Sequence, residues 1–448
     1  MTRLSLLSIL FLVLVSGALN AQTRNDITPH ILKMEDRADV IDRWTEDKLD
    51  TLVPELMRRE GIDMWVLVAR EYNEDPVLLT MLPATWQSSR RTTILLFSDP
   101  GDGQPVERMA VARYNIGFFE TQWFPDEQPD QWARFGDIVE EKNPERIAVN
   151  YSDDFALADG ISHTDFINLS NSLSPEMQDR IVSAENLAIG WLETRTQEEK
   201  IVYRQINRIA HNIVAEGLSE QVITPGITTT EDVQWWYRDR IRDLNLTAWF
   251  HPSVSVQREE TPEEDGDFSS SEGKNVILPG DLIHVDFGIQ YLRLSTDTQR
   301  NAYVLKQGET EAPQGLQDAL TTGKRLQDIL TGQFQTGRAG NEILSKALEQ
   351  AEAEDINATI YTHPIGYHGH AAGPTIGLWD QQGGVPGKGD YPLYPNTAHS
   401  IELNAEVYIP EWDKQILMKL EEDAIYDGEQ TYYIDDRAED LYLIPRQL

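Results

Sequence analysis

Residues 363 to 370 read HPIGYHGH, three histidines in eight positions of a chain that has only nine. Imidazole serves as a metal ligand, a general base or a hydrogen-bond donor, so the acids around the tract decide its chemistry. The run Leu282-Ile283-His284-Val285 leads into Asp286, and Asp297 follows eleven residues on, in a segment that reads as the returning strand of a hairpin. Two later apolar runs carry acids as well, Glu402 in Ala398–Leu403 and Glu421 in Ile416–Ile425. A carboxylate in a buried strand is costly unless it is paired or bound to a cation, and two across a hairpin can point at one spot. Four such acids with one imidazole make a mostly oxygen ligand set of formal charge near −4. That exceeds what one divalent ion balances, suits two, and favours Mn, Co, Fe or Zn over copper. On spacing alone the metal site is only suggested, since buried acids also occur in ion pairs.

These residues need a scaffold. At 448 residues the chain exceeds the size at which single cores stop growing, so two domains are expected, and 40% hydrophobic content suffices for both. From Asp42 to Glu60 the pattern is helical. Met64–Ala69 in GIDMWVLVARE, RTTILLFSD (91–99) and RIAVN (146–150) read as buried strands with helices or loops between them. This predicts an α/β domain over 22–180, without a catalytic constellation. A second domain follows over 181–448. Thr196 with Glu199 forms a capping-box signature before Ile201, Ile206, Ile209, Ile213 and Leu218. Thr228 with Glu231 forms another before Val233, Trp236, Tyr237, Ile241 and Leu244. Both read as helices facing a core. Residues 257–273, QREETPEEDGDFSSSEG, are polar and acidic without periodicity and read as a surface loop, with 259–267 the part that could close over a site. Asp281 to Leu305 reads as two strands joined at a bend.

The N-terminus has Arg3, an apolar run from Leu4 to Val15 and small residues ending at Ala21, the order of a signal peptide over 1–21. The expectation is an exported chain, periplasmic or secreted, without a membrane anchor after cleavage. There is no cysteine, hence no disulfide, lipid-modified cysteine or thiolate chemistry. The formal charge of −37 argues against nucleic acid or anionic membranes as partners.

The order D-x10-D, H-x6-H, E, E at Asp286, Asp297, His363, His370, Glu402 and Glu421 resembles the metallopeptidase family of methionine aminopeptidase, Xaa-Pro aminopeptidase and prolidase. DLIHVDFG is similar to that family's GDLVxIDFG, SIEL to its TIEP, and KLEEDAIYD to its RIEDDVLVT. The resemblance covers about residues 185–435 and implies a C-terminal pita-bread catalytic domain after a creatinase-like N-terminal α/β domain. It implies two divalent metal ions, Mn first and Co, Zn or Fe as alternatives. Asp286 and Glu421 would bridge them, Asp297 would chelate one, and His363 with Glu402 the other. Glu402 would handle the proton of the attacking water and His370 would donate to the developing oxyanion, with the substrate amine near Asp297. Short peptides are the implied substrates, cleaved as by an Xaa-Pro aminopeptidase or dipeptidase. Members often dimerise, so a homodimer is compatible with the resemblance.

Several positions depart from the Xaa-Pro branch. Thr359 stands where that branch has a histidine, Lys419 where it has an arginine, and Ala371 where an acid often follows the second histidine. The loop before Asp286 has no histidine after His251, which is a candidate substitute. His368 reads as a loop residue, and His284 and His399 as supports beside the acids or as satisfied core residues. Hydrolysis of another C–N or P–O bond, and a catalytically silent peptide-binding protein, stay open as alternatives.

Overall fold

The computed structural model describes residues 30–101, 103–259 and 275–446. The segment 1–21 and the stretch 260–274, which holds most of the acidic loop, lie outside the described residues. Among the described residues no helix is long and apolar enough to cross a membrane.

The first half is a six-stranded mixed sheet. Its central strand Met64–Arg70 runs antiparallel to Thr92–Ser98 and parallel to Ile147–Val149. Those are the three apolar runs read from the sequence. Both faces of the central strand are covered, which is why every residue from Met64 to Ala69 is apolar and buried. Glu107–Val111 and Glu120–Thr121 extend one edge and Ile181–Ser183 the other. These three are short or mixed in polarity and give no apolar run to detect. The N-terminal helix runs from Met34 to Glu60, eight residues longer at its start than the periodicity predicts. Its extra turns are held by Val40 and Ile41, which pack against the core. It ends on Gly61 in the left-handed conformation.

The second half is a curled sheet of mixed α/β character, as the resemblance implies. Its main path is ordered Asn357–Ile360, Leu403–Ile409, Lys414–Tyr426, Thr298–Val304, Leu282–Phe287, Ser253–Gln257. The 13-residue strand Lys414–Tyr426 carries the curl: its first half pairs with Leu403–Ile409 and its second half with Thr397–Ser400 and Thr431–Tyr433. Helices Gln197–Gly217, Thr230–Asp243 and Gln314–Thr331 pack against it. The Thr196–Glu199 capping box is present. The second box is Thr229 with Asp232, one residue beyond the predicted Thr228 with Glu231. Thr228 is used instead to close a turn, its hydroxyl accepting from the Thr224 amide. Ile201 was expected in the core and is 75% exposed; Tyr203 and Ile206 hold the inward face.

One apolar cluster runs through both halves. Trp44 and Leu56 of the first helix, Trp191, Tyr203 and Ile206 at the junction, and Ile283 and Phe287 of the second sheet belong to it. The N-terminal half is therefore welded to the sheet that carries the acids.

Candidate metal centre

Register brings the acids together. Gln299 pairs with Asp286 on one side and with Glu421 on the other, so three side chains from three adjacent strands share one line across the sheet. Asp297 lies just before the strand Thr298–Val304, and its amide is held by Asp423. His363 pairs with Ser400, and Glu402 follows where the chain passes from one strand to the next. The Thr362 hydroxyl brackets Glu402 by accepting from its amide and donating to its carbonyl, both at 3.0 Å. His363 Nε2 then lies 3.7 Å from Asp297 Oδ2, 3.9 Å from Glu402 Oε2 and 3.5 Å from Glu421 Oε1.

Burial pushes the Asp286 carboxyl well above the usual carboxylate range, and the neighbouring Glu421 charge adds to it. Asp297 is raised by burial and then by Glu421, Asp286 and Glu402. Glu402 is raised by burial and then by Glu421 and Asp286. Four acids at such range must hold protons or share a cation. Asp286 Oδ1, Asp297 Oδ1 and His363 Nε2 are buried without a hydrogen-bond partner. His363 Nδ1 lies 3.0 Å from the Pro364 carbonyl, and a proton on Nδ1 leaves the Nε2 lone pair free. The donor set fits divalent metal ions, with Asp286, Asp297, His363, Glu402 and Glu421 as the residues that would hold them.

The carboxylates are also aimed. Gln299 Nε2 donates to Glu402 Oε1 at 2.6 Å and to Glu421 Oε2 at 2.9 Å, while Ser400 Oγ donates to Glu421 Oε1 at 2.7 Å. His284 Nε2 lies 2.8 Å from Gln299 Oε1. Burial lowers His284 to about 3, so the neutral ring donates to that oxygen and fixes which end of the amide faces the acids. Reading the sequence for chemistry missed Gln299 and Ser400, because neither is a ligand type. Their only signal is position, two residues after Asp297 and two before Glu402. His399, also a candidate support, is buried, lowered by burial to about 3, and sits edge-on to Phe334 at 5.2 Å.

The acids line a cavity of about 680 Å3. His370 and Ala371 line it, as do Trp249, Phe250 and Trp379. Trp249 meets the His370 ring edge-on at 5.3 Å, and burial lowers that imidazole to about 4, so it is neutral at pH 7. Lys388 lines the cavity too and adds to the lowering of His370. The N-terminal half supplies Phe155, Ala156 and Leu157 to the wall, a contribution no sequence pattern announced. His251 is not at the cavity: its ring packs on Trp235 at 5.0 Å with Nδ1 3.4 Å from Arg238. Its neighbours Trp249 and Phe250 face inward instead. Thr359 sits on the edge strand opposite Asn404. Lys419 adjoins the site, where its charge acts on Asp286 and Glu402.

A second grouping of ligand types, His211, Asp435 and Asp436, was not anticipated from the sequence. His211 Nδ1 lies 3.0 Å from Asp435, whose carboxylate also takes a two-pronged contact from Arg208, and Arg300 donates to Glu422 at 2.9 Å beside the His211 ring. Arginines already balance these acids, which makes the group an ion-pair network.

The sequence profile of metallopeptidase family M24 matches residues 202–444. No curated protein sequence matches the chain. Among solved structures, the X-Pro aminopeptidase of Thermotoga maritima superposes with a TM-score of 0.60 at 16% identity, over 86% of this chain and 98% of its own. A putative aminopeptidase P from Bacillus anthracis gives 0.59 at 10%, over 88% and 94%. A dipeptidase from Mycobacterium ulcerans gives 0.58 at 14%, over 93% and 100%. At these identities the likeness is one of fold, the two-domain pita-bread architecture.

Proposed function

Because this chain belongs to metallopeptidase family M24, we propose that it removes the N-terminal residue from short peptides, preferring proline after the scissile bond, with two divalent ions in the acid cluster. Family membership itself supports a metal-dependent peptidase. The observation that carries the finer reading is the convergence of Asp286, Asp297, His363, Glu402 and Glu421 in the wall of one cavity, with three of their atoms unsatisfied.

Bound divalent ions supply Lewis-acid polarisation of the scissile carbonyl and lower the pKa of a water nucleophile. The rest falls to the chain. Glu402, whose carboxyl burial pushes upward, is suited to take and return the proton of the attacking water. Neutral His370 offers one N–H to the oxygen on which charge develops, and Trp249 limits the tilt of its ring. The acid end near Asp297 attracts the substrate's amine. Lys388 lines the same cavity, has no acidic partner among the described residues, and meets a free C-terminal carboxylate. The opposed charges suit a dipeptide or other short peptide. Mn is the metal we favour, and export, resting on the apolar run 4–15, belongs to the same reading.

The test is hydrolysis of Gly-Pro, Ala-Pro and matched X-Ala peptides by the full chain, with Mn, Co or Zn added and with a chelator. Chelator-sensitive release of the first residue, faster before proline, is the expected result. Cleavage before alanine alone removes the proline assignment, and no cleavage of any peptide by metal-loaded protein removes the peptidase reading.

A further inference from the structure

Tyr367 sits inside the HPIGYHGH loop, four residues after His363 and three before His370. Three buried ionisable side chains from outside the loop converge on it. Lys48, on the N-terminal helix, donates 3.2 Å to the Tyr367 hydroxyl, and also to the Trp191 and Thr194 carbonyls at 2.9 and 3.0 Å. The hydroxyl in turn donates to Glu199 Oε1 at 3.0 Å. Lys48 Nζ and Arg195 Cζ also lie 4.5 and 4.4 Å from the centroid of the Tyr367 ring, and Arg195 reaches Glu199 at 3.5 Å. Lys48 and Glu199 are fully buried, and Arg195 is 2% exposed.

Burying a lysine, an arginine and a glutamate costs several kcal/mol per ion before their attraction is counted, and apolar side chains of the same size would join the two halves at least as well. What the polar group adds is direction: a hydroxyl with one donor and one acceptor in fixed places holds its residue in a single pose. The flanking backbone is held too. Gly366 accepts from the Ser295 amide at 2.7 Å, and Gln290 Nε2 donates to the Tyr367 carbonyl at 3.2 Å. A Cβ at Gly366 would approach the Arg195 guanidinium to 3.3 Å, so the loop lies directly on this cluster.

We infer that Lys48, Glu199 and Arg195 are positioning residues for the reaction, a latch in which Lys48 of the N-terminal half, together with Arg195 and Glu199 of the second half, grips Tyr367 and sets the place of His370 relative to the acid cluster. The inference rests on the function proposed above in taking His370 as the oxyanion donor. It assigns to the N-terminal half a part in catalysis beyond walling the cavity.

The test uses the full-length, metal-loaded chain with Tyr367→Phe, which removes the hydroxyl and keeps the ring, and Lys48→Met, which keeps the stem and removes the amine donor. Both variants are expected to lower kcat by about tenfold or more through a displaced donor, with KM and metal content near wild type. Hydrogen exchange is expected to quicken in residues 363–372 and not in the strand Lys414–Tyr426. Unchanged kcat in both variants overturns the latch, as does a loss of activity that tracks faster exchange throughout the chain. If the wild type cleaves no peptide, local quickening in 363–372 still supports the latch while the proposed function falls; its absence removes the latch as well.

Discussion

Gln299→Met is the substitution that asks most of the site as described. Gln299 is a fully buried side chain whose single amide nitrogen serves two of the acids, and methionine keeps its length and volume while removing both polar ends. Two effects separate. In the metal-free chain the His284 N–H loses its acceptor, and a buried donor left unsatisfied costs about 1–3 kcal/mol. In the metal-loaded chain Glu402 and Glu421 are no longer oriented, and losing such supporting hydrogen bonds lowers metal affinity about 10–100-fold. That corresponds to about 1.4–2.8 kcal/mol, close to one hydrogen bond to a charged group at about 1.5–3 kcal/mol. Competition against a chromophoric chelator reads the second effect, and urea unfolding of the stripped protein reads the first. Wild-type metal affinity in a folded Gln299→Met variant would refute the reasoning, since it would mean that the carboxylates orient themselves.

Three other outcomes are expected. Glu193 is buried, accepts from the Tyr391 hydroxyl at 3.1 Å, and is raised by burial to about 8. The folded state thus holds a proton that the unfolded chain releases near its ordinary value. This contribution is full below about pH 4.5, falls by at most about 1.4 kcal/mol per pH unit, and is gone above pH 8; Glu193→Gln should flatten the slope of denaturation midpoints across that window relative to wild type. Lys388→Met should raise KM about fivefold for free dipeptides, as about 1 kcal/mol for an exposed ion pair allows, and leave C-terminally amidated peptides unaffected in steady-state kinetics. Thr196→Ala removes one arm of the capping box and should cost about 1 kcal/mol in urea unfolding.

Much of this molecule is legible in its residues, for identifiable reasons. Met64–Arg70 and Thr92–Ser98 are covered on both faces, so burial writes itself as an unbroken apolar run, whereas Glu107–Val111 carries only a partial pattern and escapes notice. Asp286 and Glu421 stand out because each interrupts an apolar strand, whereas Asp297 and Glu402 lie at strand ends, and the structure brings all four with His363 to the wall of one cavity. The supporting groups are quieter. Gln299 and Ser400 are ordinary strand residues until register places them beside the acids. Lys48, Arg195 and Tyr367 come from parts of the chain that only the packed junction of the two halves brings together. The shift of the second capping box to Thr229 shows the same limit at short range: of three threonines in a row, Thr228 and Thr229 each have an acid three residues on, and the turn closed by Thr228 decides between them.

The measurement that bears most directly on the metal centre is elemental analysis of the purified chain and of Asp297→Ala, with circular dichroism to establish that both are folded. The account predicts about two divalent ions per wild-type chain, as in two-metal hydrolases, and fewer, together with lost peptide hydrolysis, in the folded variant. Equal metal content and equal activity in Asp297→Ala would contradict the assignment of the site.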